Sequence, residues 1–216
     1  MGKLYFITGD IIENSKGMDA IVNAQNKYMI NGSGICGAIY RNAGIELQEY
    51  CKENYKTTME PCEVRLTPGF NLNMDIIHSY APIFWDWENP IDKLIEAYSN
   101  VIEVIKSNNY KNVIIPSLGT GVHGYKHEEV ASKVINLLYK FCVNNDVDIY
   151  FVNLYSVVTD IYFNELLKEV NLSKSEQLDI LKNEHECFEN FVEGKEVADL
   201  CNYEKLIYLK VTGEEQ

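Results

Sequence analysis

Two short runs, Val113-Ile114-Ile115 and Ile149-Tyr150-Phe151-Val152, constrain the fold more than any other part of this chain. Both are continuous and rich in β-branched or aromatic residues, with no polar residue at alternate positions. A run of this kind is a strand covered on both faces, so the sheet that holds it has a layer on each side. The second run extends to Leu154, and Leu4–Ile7, Ala20–Val22, Val64–Thr67 and Ile76–Ser79 also read as strands. Helical patterns lie between them. Ile91–Ser107 places Leu94, Ile95, Tyr98, Val101, Ile102 and Ile105 on one stripe. His127–Asn144 does the same with Val130, Val134, Leu137, Leu138 and Phe141, and Asp160–Val170 with Ile161, Leu166 and Leu167. Gly34–Asn42 reads as a further helix, opened by a glycine-bearing loop and closed near Gly44. Strands alternating with helices of this length predict an α/β layered domain over residues 1–170.

After Val170 the character changes. Ser173-Lys174-Ser175-Glu176 fits a capping box, and Leu178, Leu181, His185, Phe188 and Val192 recur at helical spacing. Residues 171–216 therefore read as a helical C-terminal extension packing on the main domain, too short to read as a domain of its own. The whole length of 216 residues suits one domain with such an appendage.

Charge narrows the partners. With 19 basic against 32 acidic residues the formal charge is −13, a surface that repels phosphate backbones and excludes broad nucleic-acid binding. One small anion is still accommodated, because oriented backbone N–H groups bind it without net positive charge. No apolar run approaches the ~20 residues that span a bilayer, so no membrane partner is expected. The start, Met1–Asp10, is too soon interrupted for a signal peptide. The six cysteines (36, 51, 62, 142, 187, 201) form no C-x-x-C pair, and scattered thiols without a secretion signal point to a cytoplasmic home.

The chemistry concentrates in two glycine-rich loops, Asn31–Ile39 and Pro116–Tyr125. A glycine loop feeding a helix N-terminus is a ready anion site, since free N–H groups and the helix dipole both favour negative charge. Two such loops suit the two phosphates of a diphosphate; the alternative is a pair of tight turns. Neither ends in the Gly-Lys-Ser/Thr of a P-loop. Gly32-x-Gly34-x-x-Gly37 matches the letters of a dinucleotide fingerprint, but the preceding Gln25–Ile30 is not strand-like. Gly-x-Ser-x-Gly does not occur. His123 and His127 stand four apart, but His123 falls in the loop rather than on a helix face, so no metal site is expected. Trp85 and Trp87 form an aromatic cluster before a helix, read as loop packing or as a contact with a partner or substrate protein.

In order along the chain stand Ile7-Thr8-Gly9-Asp10-Ile11, Ala20-Ile21-Val22-Asn23-Ala24-Gln25-Asn26, Gly32-Ser33-Gly34-Ile35-Cys36-Gly37-Ala38-Ile39, Asn42-Ala43-Gly44, Arg65–Leu72 with Ile76-Ile77-His78, and Ile115–Tyr125. This series closely resembles the macrodomain family over about residues 4–170. The resemblance implies a three-layer α/β/α sandwich with a mixed central sheet and a cleft for ADP-ribose at the strand ends, with no cofactor. It implies that Asp10 accepts a hydrogen bond from the adenine amino group, as an acceptor-only carboxylate can, with Ile11 beside the ring; a turn acid is the alternative for Asp10. It places Gly34, Ile35, Cys36 and Gly37 along the distal ribose and one phosphate. Ser117, Gly119, Thr120, Gly121, Val122 and His123 cradle the diphosphate, and Tyr125 stands near the distal ribose. Asn23 and Asn26 match paired asparagines that touch that ribose, or else brace a turn. Tyr155 stands where an aromatic stacks on adenine, after a one-residue insertion; a buried tyrosine of a core strand is the alternative.

The family divides into binders of ADP-ribose and hydrolases that act on ADP-ribosylated acidic side chains or on O-acetyl-ADP-ribose. One hydrolase pattern runs from the second asparagine through six residues to Gly-Gly-[Val/Leu/Ile]-Asp. Counted from Asn26, this chain has Ser33-Gly34-Ile35-Cys36, with cysteine at the Asp position and Tyr40 where a histidine often follows. Cys36 replaces that Asp as a base only with a depressed pKa, and the sequence offers no partner for it. Some hydrolytic relatives also lack the Asp, and Asn26, Gly34 and Tyr125 remain here as the catalytic set for such a mechanism. Two readings follow: a hydrolase of ADP-ribose conjugates, or a non-catalytic reader.

Overall fold

The structure is a computed structural model that describes residues 2–169 and 207–208. Seven strands form one sheet: β1 (Leu4–Thr8), β2 (Ala20–Ala24), β3 (Val64–Pro68), β4 (Asp75–Ser79), β5 (Asn112–Pro116), β6 (Asp148–Asn153) and β7 (Ile207–Tyr208). Their order is β3-β4-β2-β5-β6-β1-β7. β4, β2, β5, β6 and β1 run parallel, while β3 and β7 lie antiparallel at the two edges, so the sheet is mixed. The helices are α1 (Gly34–Ala43), α2 (Ile45–Asn54), α3 (Pro90–Ser107), α4 (His127–Asn144) and α5 (Ser156–Glu169).

The continuous apolar strands do what their composition predicts. Val113, Ile114 and Ile115 are all fully buried, and successive residues serve opposite layers. Val113 and Ile115 join Leu4, Phe6, Val22, Ile77, Ile149 and Phe151 under α3, α4 and α5, against Leu94, Tyr98, Val134, Leu138 and Tyr162. Ile114 joins Ile7, Ile21, Ile76 and Val152 under α1 and α2, against Ile39, Leu47 and Met29. The result is the three-layer sandwich. Each fully buried large aliphatic side chain contributes about 1.5–3 kcal/mol relative to exposure, so the two-faced strands dominate the core.

Two elements depart from the sequence reading. α2 has no strong stripe, because its ten residues bury only Leu47 and Cys51. It starts where Gly44, at φ 98°, ends α1 and redirects the chain. α5 begins at Ser156 rather than Asp160, and its first turn buries only Thr159. The helical extension read over 171–216 lies outside the described residues except at Ile207–Tyr208, which pair with Phe6 and Tyr5. Among the described residues no helix is long and apolar enough to cross a membrane.

Parallel strands put all their carboxyl ends on one side. Thr8, Ala24, Ser79, Pro116 and Asn153 therefore end along one rim, and the loops that follow them enclose the site. A crevice outside the carboxyl ends is where open α/β sheets bind ligands.

Candidate functional site

A cavity of about 590 Å³ opens along this rim. One wall is the first glycine loop and α1. Ser33 precedes the helix in extended conformation and makes no side-chain cap bond, so the first-turn N–H groups have no capping side chain. Gly34 opens the helix at φ +56°, and a Cβ placed there would meet nothing within 4 Å. It presents bare backbone to the cavity, beside Ile35 and Cys36. Gly37 is buried in α1, off the cavity wall, where a side chain would collide with the Gly32 carbonyl.

The facing wall is the second loop: Ser117, Gly119, Thr120, Gly121, Val122 and His123 all line the cavity. Thr120 Oγ1 donates within the loop to Ser117, 3.0 Å from both its carbonyl oxygen and its Oγ. Gly119 sits at φ +77°, with the Tyr125 ring against it. Val122 is 88% exposed at the mouth. Tyr125 is not on the wall. It is buried, and its hydroxyl donates to the Pro90 carbonyl at 2.9 Å. Burial pushes that hydroxyl up to about 12.

The third side comes from the ends of β1 and β6, with Asp10, Ile11 and Tyr155 on the wall. Asp10 Oδ1 accepts from the backbone N–H of Ile12 at 2.7 Å and of Glu13 at 3.3 Å. The carboxylate is thus fixed in a turn while the residue stays exposed. Tyr155 is 65% exposed, which overturns the alternative of a buried core tyrosine.

The paired asparagines lie behind the wall. Asn23 is fully buried; its Nδ2 donates to Gln25 Oε1 at 2.5 Å and lies 3.1 Å from His78 Nδ1. Gln25, which does line the cavity, is also 3.0 Å from His78 Nδ1, and His78 Nε2 is 2.9 Å from Thr67 Oγ1. With the proton on Nδ1, His78 donates to Gln25 and accepts from Thr67. Complete burial drives the imidazole down to about 3, so it stays neutral. Asn26 braces the turn that follows β2, accepting from Tyr28 N–H at 3.1 Å and donating to the Ile30 carbonyl at 2.6 Å. Its amide is also 3.9 Å from Cys36 Sγ. Burial pushes the Cys36 thiol up, so it remains protonated near neutral pH.

Several wall residues were not read from the sequence. Among the described residues Arg41 is the single lysine or arginine on the wall; it stands seven residues beyond Gly34 on the same helix face, a spacing that could have flagged it. Ser79, His127 and Asn153 also line the cavity. Among the described residues, four buried side-chain polar atoms lack a hydrogen-bond partner: Asn23 Oδ1, Ser79 Oγ, His123 Nδ1 and Asn153 Nδ2. Three belong to wall residues, and Asn23 bonds to a fourth wall residue, Gln25. Unpaired buried groups are costly, by about 1–3 kcal/mol each. That three of them belong to residues lining one cavity marks a site arranged for a polar occupant. No group of three or more metal-ligating side chains gathers among the described residues.

The Macro domain family model matches residues 22–134, just over half the chain. The O-acetyl-ADP-ribose deacetylase of Escherichia fergusonii is 31% identical, in an alignment that covers 77% of this chain and 96% of that protein. The Macro domain-containing protein of Methanosarcina mazei is 31% identical, in an alignment that covers 67% of this chain and 76% of that protein. Among solved structures, the Oceanobacillus iheyensis macrodomain with ADP matches with a TM-score of 0.71 at 30% identity, covering 78% of this chain and 92% of that one. Fold, loop order and these likenesses agree, and the chain belongs to the macrodomain family.

Proposed function

We propose that this chain binds ADP-ribose in the cavity and hydrolyses ADP-ribose conjugates, either mono-ADP-ribosylated acidic side chains or O-acetyl-ADP-ribose. The observation that carries the reading is the pairing of two glycine loops across one cavity, with the cationic Arg41 on the α1 wall and an acceptor-only carboxylate, Asp10, on the third side. Helix N–H groups with no capping side chain and a guanidinium suit a diphosphate. Asp10 suits an exocyclic amine, with Ile11 beside the ring and exposed Tyr155 available to cover it. The distal ribose then falls against Gly34, Ile35 and Cys36, with Asn26 behind. The names of the curated relatives, O-acetyl-ADP-ribose deacetylase among them, support the hydrolytic half.

Turnover on this scaffold proceeds by positioning. In either substrate water cleaves the bond to the acyl group, releasing a carboxylate and ADP-ribose. The protonated Cys36 thiol and the Tyr125 hydroxyl, committed to Pro90, are not bases at neutral pH. What remains is to hold the ester and a water in an attacking geometry, worth much in rate when rigid but less than positioning combined with a general base. The same two observations favour a second reading, a module that binds ADP-ribose without turnover.

The test is release of ADP-ribose from a glutamate-linked conjugate and from O-acetyl-ADP-ribose, by wild type and Asn26→Ala. Thermal unfolding is measured alongside, because the amide also braces the 26–30 turn. Release by wild type that drops at least tenfold in a folded Asn26→Ala protein supports the hydrolase. Binding of ADP-ribose with no release from either conjugate establishes the reader. No binding at millimolar ADP-ribose refutes both.

A further inference from the structure

We propose that Asn153 is a recognition residue for the adenosine half of the ligand, its side-chain amide hydrogen-bonding the nucleoside directly. This rests on the reading of the cavity as an ADP-ribose site. Asn153 ends β6, and only 6% of it is exposed. Its Nδ2 has no partner among the described residues, yet the residue lines the cavity. Its main chain is fixed in the sheet. Asn153 pairs with Thr8 in the β1–β6 ladder, and its carbonyl accepts from Gly9 N–H at 2.9 Å.

That same bond sets its place along the cavity. Gly9 precedes Asp10, so the amide and the carboxylate stand on adjoining strand ends, with Ile11, Val152 and Leu154 supplying apolar wall around them. A slot of this kind, apolar with few polar groups, fits a heterocycle and its sugar better than a diphosphate. The glycine loops that suit the phosphates form the other walls. A carboxylate only accepts, whereas an amide both donates and accepts. Asn153 therefore supplies the donor that Asp10 lacks, for a ring nitrogen or a ribose hydroxyl.

An amide N–H kept unpaired for a ligand has a signature that a structural amide does not. Removing it leaves the free protein as stable or more stable and weakens the complex. The experiment compares wild type with Asn153→Ala and Asn153→Ser by calorimetric titration with ADP-ribose and with ADP, and by thermal unfolding without ligand. The expected result is a five- to twentyfold loss of affinity in Asn153→Ala, the same for both ligands, with an unfolding temperature equal to or above wild type. Asn153→Ser, which keeps a hydroxyl, recovers part of the affinity. Unchanged affinity in Asn153→Ala overturns the proposal. A loss confined to ADP-ribose overturns the placement at the adenosine half. A lower unfolding temperature with unchanged affinity assigns Asn153 a structural role instead. Failure of wild type to bind either ligand shows itself before any variant is made and removes the underlying reading.

Discussion

Gly37→Ala opposes two effects whose signs differ, so its outcome tests how the first loop is built. Gly37 lies in the first turns of α1, where its N–H donates to the Ser33 carbonyl at 3.2 Å, and its φ is not positive. Helix propensity alone makes alanine better there by about 1 kcal/mol. The new Cβ, however, falls well inside contact distance of the Gly32 carbonyl oxygen and 3.0 Å from Arg41 Nη1. The guanidinium can swing aside. The carbonyl moves only if Gly32 and Ser33 move with it, and Ser33 leads into the first turn of α1. Overpacking of this kind costs about 1–3 kcal/mol. The net expectation is a loss of about 1 kcal/mol, read as a lower urea midpoint at unchanged slope. Affinity for ADP-ribose falls further, by tenfold or more, because the displaced atoms adjoin the proposed anion site. Gly121→Ala is the control: a Cβ there meets nothing within 4 Å and φ is not positive. Its stability should stay within about 0.5 kcal/mol of wild type. A Gly37→Ala protein more stable than wild type by about 1 kcal/mol, with undiminished affinity, would refute the packing argument.

Arg41→Ala should weaken ADP-ribose binding about three- to tenfold, with Arg41→Lys intermediate, and should flatten the dependence of affinity on salt; equal salt slopes in a titration series would show that the guanidinium does not face the phosphates. His78 should remain neutral well below the usual imidazole range, since burial holds it down to about 3. The unfolded chain takes up that proton below about pH 6.5 and the folded chain does not, so stability falls as pH falls from 6.5 toward 3, by at most about 1.4 kcal/mol per unit from this group. An NMR titration showing the His78 ring resonances shifting with a midpoint near 6 would contradict the buried network with Gln25 and Thr67.

The strands were legible because their burial is two-sided: a run such as Val113-Ile114-Ile115 admits few other readings, and all six strands read from the sequence recur within two residues at each end. α2 was not legible, since two buried side chains in ten residues make no stripe. The glycine loops were legible for a backbone reason, as at Gly34, where positive φ and an open cavity leave a mark in the sequence. Tyr125 and Asn23 carry polar groups in site motifs, yet the fold spends both internally, on Pro90 and on the Gln25–His78 network. That choice depends on neighbours remote in sequence and leaves no local trace. Ser79 and Asn153 are the reverse case. They lie 74 positions apart and meet on one rim only through the strand order β4-β2-β5-β6-β1. Still, a signal was present. Each is a polar residue closing a strand that carries adjacent apolar residues, after Ile76-Ile77 in one and Tyr150-Phe151-Val152 in the other. In a parallel sheet the carboxyl end is where the crevice opens, so a polar residue at that position is poorly explained by packing and well explained by a ligand.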